Sequence, residues 1–217
     1  MKHFEPVQLV LSQVLSEAQS LQSTVLFPVN AFVSQVKQTR GQPGVEVGMV
    51  GWEGMLGATL ALGVAAAPMR SVVQGPGLAW RMDAARFESE LRVCEALRDR
   101  VRRSLFVTLL QLGCTSACHR FHPLGERLAR WLLMSHDRAR ADEFEVTHAG
   151  LGLTLGVRRE GVTLPASALQ AAGVIRYRRG QVFIRDRQAL ENRACACYAA
   201  DCSVYRAHLG GRCGARS

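Results

Sequence analysis

The spacing of apolar positions changes along the chain. Over the first 82 residues they fall in short runs at 7–11, 25–27, 32–36, 45–50 and 71–73. Turn-forming pieces separate the runs: Pro28-Val29-Asn30, Gly41-Gln42-Pro43-Gly44 and Gln74-Gly75-Pro76-Gly77. Many short strands at this spacing predict an antiparallel barrel or jelly roll. After Asp83, a helix-capping residue, the period lengthens. Residues 86–112 contain no proline and no glycine. Leu97, Val101, Leu105, Thr108 and Leu112 recur at steps of three and four, one apolar stripe along a helix. Such a stripe on a long helix suits a twofold dimer seam. Residues 113–125 read as a hinge. Pro123 is placed to start a further helix over 126–135, with Leu128, Trp131 and Leu132 on one face.

Residues 147–185 carry the densest signal. A first helix is expected to end at Gly156, where the chain must turn sharply. A second helix follows and stops at Ala172-Gly173. Residues 174–177 and 181–185 then alternate like strands around Arg178-Arg179-Gly180. Helix, turn, helix and basic hairpin make a winged helix-turn-helix. The chain therefore reads as α+β, in three parts: an N-terminal antiparallel β-roll (jelly roll) at 1–82, a long central dimerisation helix at 83–118, and a C-terminal winged helix-turn-helix domain at 119–217.

Charge agrees with that placement. The chain of 217 residues carries a formal net charge of +9. Residues 119–217 hold 16 Arg against 9 acidic residues, and within 158–187 seven Arg face only Glu160 and Asp186. Clustered basic charge releases counterions from a nucleic-acid backbone. No run reaches the length of a membrane span, and no leader peptide is visible at MKHFEPVQLV, so a cytoplasmic protein is expected. Seven cysteines without framework spacing read as free thiols. No nucleophile–base grouping, phosphate loop or HExxH pattern points to an enzyme.

Four segments resemble the Crp/Fnr family of bacterial transcription regulators: RLARWLLMSHDR (127–138), LGVRREGVT (155–163), ALQAAGVIRYRRGQVFIRDRQALE (168–191) and ACACY (194–198). VEVGMVGWEGMLG (45–57) is similar to the Gly-x-Glu-Gly turn of the family's cyclic-nucleotide-binding-like β-roll. The resemblance covers nearly the whole chain, although the family's usual first helix and early strand have no counterpart before Val7. It implies a homodimer that regulates transcription, with the recognition helix in the major groove of double-stranded DNA. RNA polymerase and an undefined small-molecule effector are the further partners it implies.

Carried onto this chain, the resemblance assigns base contacts to Arg158, Arg159, Glu160 and Thr163. Arg can pair bidentately with guanine, and Glu can accept from cytosine. Thr147, Arg178 and Arg179 are phosphate candidates. A cyclic-nucleotide site would use Glu53 for ribose and Arg70-Ser71 for phosphate. Sixteen residues separate Glu53 from Arg70, more than that cassette allows, so cyclic AMP is not expected to bind tightly. Gly150, Gly152 and Pro165 lie where regular helix is expected and would weaken it. They open an alternative: an effector-binding sensor with a degenerate DNA-binding domain. Cys114, Cys118, His119 and His122 form one run of soft ligands, and Cys195, Cys197 and Cys202 a second. Neither has the paired spacing of a zinc site, so no metal or other cofactor is expected.

Overall fold

The computed structural model describes residues 3–41 and 44–210, without the side chains of residues 148, 149 and 159. Seven strands build the roll: β1 (Glu5–Leu9), β2 (Val14–Ser16), β3 (Thr24–Pro28), β4 (Phe32–Lys37), β5 (Val45–Val50), β6 (Arg70–Gly75) and β7 (Gly77–Asp83). All pair antiparallel, in one sheet ordered β1-β7-β3 and another ordered β2-β6-β4-β5. Leu9, Ala31, Val33, Leu56, Val73 and Ala79 are buried together between them. The five expected strands are present. β2 and β7 lay outside the expectation: β2 is only three residues long, and the start of β7 falls in what read as a Gly-Pro-Gly turn. The expected turn at 41–44 includes residues 42 and 43, which lie outside the described residues.

The Asp83 carboxylate accepts from the backbone N–H groups of Ala85 and Arg86 at 2.9 and 3.2 Å. It thereby caps α1 (Ala84–Val93). The single helix expected beyond Asp83 is two. The chain leaves helical geometry at Cys94 and resumes as α2 (Glu95–Phe121). Arg98 donates to the carbonyls of Leu91 and Arg92 at 2.9 and 3.0 Å, satisfying the end of α1. That side-chain cap has no signature in the apolar pattern. α2 runs straight through Gly113, so the hinge shrinks to His122-Pro123. α3 (Leu124–Ala139) begins immediately after the proline, as its fixed backbone angle favours.

The stripe along α2 turns inward. Val101 is 2% exposed, and Leu97 and Leu105 pack with it against Val25, Met55, Met82 and Phe87 of the roll and α1. The expected seam is therefore part of the protomer's own core. α2 carries a second apolar face, at Phe106, Leu109 and Leu110, and this one is exposed. Periodicity finds apolar faces but does not say which partner each meets.

The C-terminal domain follows as β8 (Glu143–Glu145), α4 (His148–Leu155), a 3₁₀ turn (Arg159–Val162), α5 (Thr163–Ala171), β9 (Ile175–Arg178), β10 (Gln181–Ile184), α6 (Arg187–Glu191) and α7 (Ala196–Leu209). β10 lies between β8 and β9, so the expected hairpin is completed by a third strand. The C-terminal core includes Leu128, Leu132, Leu133, Leu151, Leu169, Ile175 and Leu190, and it continues into the roll through Phe32 and Met49. Phe32 and Phe144 meet edge to face at 6.3 Å across that boundary.

Candidate nucleic-acid interface

α4, the turn and α5 form the helix-turn-helix. Thr147 is the N-cap of α4, its hydroxyl accepting from the Gly150 N–H at 2.9 Å. Gly156 closes α4 in the left-handed conformation, φ 65°. The chain then makes one 3₁₀ turn and enters α5 without a break. Pro165 falls in the first turn of α5, where its missing N–H would have no intrahelical acceptor, so it does not interrupt the helix. Leu151, Leu155, Val162, Ala166 and Leu169 face inward.

The opposite face is polar and open. Arg158, Glu160 and Thr163 are all exposed along the leading edge of α5. Arg159 begins the 3₁₀ turn beside them, and its side chain lies outside the described residues. In the wing, Arg178 pairs with Gln181 across a two-residue turn of Arg179 and Gly180, with φ of 50° and 80°. Positive φ at both central positions gives the turn type that matches strand twist, and it presents Arg178 and Arg179 to solvent. Six of the seven residues assigned to DNA thus have described side chains, and all six are exposed. Thr147 also has a helix-capping role.

The domain's other face is buried against the roll, and one effector candidate, Glu53, is engaged here. Glu53 is 8% exposed and pairs with Arg138 of α3 at 2.7 Å, with a second bond from Arg138 Nε at 2.8 Å. A Cβ on Gly51 would lie 2.6 Å from Arg138 Cγ, so the Gly-x-Glu-Gly turn needs glycine there to admit the arginine. Arg138 also donates to Tyr205 OH on α7 at 2.7 Å. Arg70 pairs with Glu17, and Ser71 bonds Ser16 and Gln35. The three residues assigned to a cyclic nucleotide therefore all have partners within the fold. Gly150, read as a weakness, is a close approach: a Cβ there would come within 3.2 Å of Gln74 Oε1 on β6.

A second carboxylate at this junction had no signal in the sequence. Glu46 on β5 accepts from Ser34, from Trp131 Nε1 at 3.1 Å and from Thr154 Oγ1 at 3.3 Å. It therefore touches the roll, α3 and α4 together. Burial raises its pKa to about 7, against the lowering effect of those hydrogen bonds and of Arg130.

The two soft-ligand runs meet in space. Cys118 and His122, one helical turn apart at the end of α2, face Cys195 and Cys197 at the start of α7. Their four ligand atoms lie within 4.8 Å of one another. The spacing of either run alone could not show this. Cys94, Cys114, Cys118, Cys195 and Cys197 are free thiols as expected. Cys202 is not: it is disulfide-bonded.

A roll joined by one long helix to a winged helix-turn-helix is the architecture of this chain. Residues 126–193 match the family model of the Crp-like helix-turn-helix domain. FixK2 from Bradyrhizobium japonicum shares the fold at a TM-score of 0.71 and 14% identity, over 89% of this chain and 98% of that one. A CRP-family transcriptional regulator from Thermus thermophilus superposes at 0.69 and 17% identity, over 87% and 96%. CLP of Xanthomonas campestris, a regulator responsive to c-di-GMP, superposes at 0.64 and 14% identity, over 84% and 94%. No curated protein matches by sequence. The chain carries a Crp-like helix-turn-helix domain within the Crp/Fnr regulator fold. No helix among the described residues is long and apolar enough to cross a membrane.

Proposed function

We propose that this protein is a cytoplasmic transcription regulator that binds sequence-specific operators in double-stranded DNA as a homodimer. The observation that carries the reading is the exposed edge of Arg158, Glu160 and Thr163 beside the basic wing tip of Arg178 and Arg179. The leading edge of a helix enters a major groove, and flanking arginines neutralise the phosphates on either side. In this reading Arg158, Arg159, Glu160 and Thr163 contact bases, and Thr147, Arg178 and Arg179 contact phosphates. The alternative of a degenerate DNA-binding domain is weakened by Pro165 and Gly150, both of which the fold accommodates. The dimer forms along α2 through Phe106, Leu109 and Leu110, with Gly113 on the same face allowing close helix approach. RNA polymerase and a small-molecule effector are partners this function would use. Genome-wide immunoprecipitation of the tagged protein tests it. The expected result is an inverted repeat whose half-sites lie about 10–10.5 base pairs apart, or a multiple of that. Enrichment without any shared motif would reject the proposal.

A further inference from the structure

We propose that Cys118, His122, Cys195 and Cys197 bind one zinc ion in a closed tetrahedral site that ties α2 to α7. Cys118 Sγ and Cys195 Sγ lie 3.5 Å apart, and Cys197 Sγ lies 3.6 Å from His122 Nδ1. Zinc bonds thiolate sulfur at about 2.3 Å and imidazole nitrogen at about 2.0–2.1 Å. A tetrahedron with those bond lengths has sulfur–sulfur edges of about 3.8 Å and sulfur–nitrogen edges of about 3.5 Å. Both observed separations are close to those edges. Three cysteines and one histidine are a structural zinc donor set, soft enough to prefer zinc over magnesium or calcium.

The ligands are held by regular elements. His122 caps the C-terminal end of α2, its N–H donating to the Cys118 carbonyl at 3.1 Å, which keeps the two residues together. Cys195 is the N-cap of α7, and Cys197 is two residues further on. Cys118 and Cys195 are buried, while His122 and Cys197 are half-buried, so the site has a path by which an ion can enter. Three thiolates, a neutral imidazole and a divalent ion carry one net negative charge. Cys114, one turn before Cys118, is excluded: its Sγ contacts the Cys197 carbonyl at 3.9 Å.

Two other chemistries fit less well. A disulfide would join Cys118 to Cys195 and leave Cys197 and His122 facing each other without use. An iron–sulfur cluster must fit its own iron and sulfide atoms between the ligands, and a four-atom set this tight leaves room for one ion. The placement also has a structural consequence. Asp201 and Tyr205 lie further along α7, where Asp201 pairs with Arg130 at 2.6 Å and Tyr205 accepts from Arg138 at 2.7 Å. An ion at the start of α7 would hold that helix in register with the buried junction.

The test is metal analysis of the full chain, purified under reducing conditions without chelator. Elemental and native mass spectrometry should give one zinc per chain. Cobalt reconstitution should give the charge-transfer and visible bands of a tetrahedral thiolate site. Cys195→Ser and His122→Gln should weaken zinc binding, read by chelator competition, by more than the roughly 10–100-fold that follows loss of an outer-shell partner. Cys114→Ser should keep full zinc occupancy. His122→Cys, which replaces one ligand with another, should keep it too and so separates ligation from misfolding. A metal-free chain after anaerobic reconstitution, a Cys118–Cys195 disulfide, an iron–sulfur spectrum, or full affinity in Cys195→Ser would each overturn the proposal.

Discussion

The winged-helix domain has two working faces of opposite character. Toward solvent, Arg158, Glu160, Thr163, Arg178 and Arg179 are exposed. Toward the roll, Arg138 pairs with buried Glu53, and Trp131 and Thr154 bond buried Glu46. Substitutions on the open face should change affinity for a partner and leave stability alone. Substitutions at the junction should change stability, because an unpaired buried charge has no water to turn to. The roll and the winged helix share a core at this junction.

The strongest way to break this contrast is Arg138→Ala. Removing one partner of a buried pair leaves Glu53 uncompensated, and denaturant unfolding should show a loss of about 3–5 kcal/mol. Replacing both partners with methionine should recover much of it, because no buried charge remains. A loss below about 0.5 kcal/mol, typical of surface positions, would show that the junction is open to water.

Glu46 should make stability depend on pH. Its folded pKa of about 7 lies above the ordinary value of 4.5. Between those values the folded state holds a proton that the unfolded chain has released. Stability contributed by this group should therefore fall as pH rises from 4.5 to 7, and stay low above. The size is on the order of 3 kcal/mol, at about 1.36 kcal/mol for each pH unit between the two values. Glu46→Gln should flatten that slope in urea titrations. A wild-type profile unchanged by the substitution would move the titration elsewhere.

Next is the dimer seam. Leu109 is 67% exposed, whereas Leu105 packs into the roll core. Sedimentation should show Leu109→Glu as a folded monomer, two carboxylates being forced together across a dimer built on this face. Leu105→Glu should instead lower stability. Dimerisation unaffected by Leu109→Glu would place the seam on another face.

The smallest expected change is on the open face. Arg158→Ala should weaken operator binding by about 1–3 kcal/mol while leaving random DNA nearly unaffected. Its unfolding midpoint should match wild type. Equal loss on both DNAs would make Arg158 a phosphate contact.

Much of this architecture is legible in the chain because local signals and tertiary roles coincide. The strands at 45–50 and 32–36 alternate or run apolar between turns, and Gly156 stands where a left-handed turn is required. Arg158, Arg178 and Arg179 are exposed, as their place at the turn and the hairpin tip predicts. What failed to show were features made by side-chain contacts that periodicity does not carry. The break at Cys94 is stabilised by Arg98 reaching back to Leu91. The apolar stripe of α2 gave no means of choosing between roll and partner. Glu53 fits a ribose-binding motif by context, yet its partner is Arg138, 85 residues away. The cysteine–histidine cluster joins two incomplete runs that only the packing of α7 against α2 unites.

DNA recognition by the open face is tested most directly by duplex-DNA affinity, measured by fluorescence anisotropy across a salt series. The proteins to compare are wild type and the double variant Arg178→Ala/Arg179→Ala. Log affinity should fall linearly with log salt in the wild type, by about 0.9 for each phosphate neutralised. Loss of the two wing arginines should reduce the magnitude of that slope by about two, with the fold unchanged. No binding at low salt, or the same slope in both proteins, would contradict it.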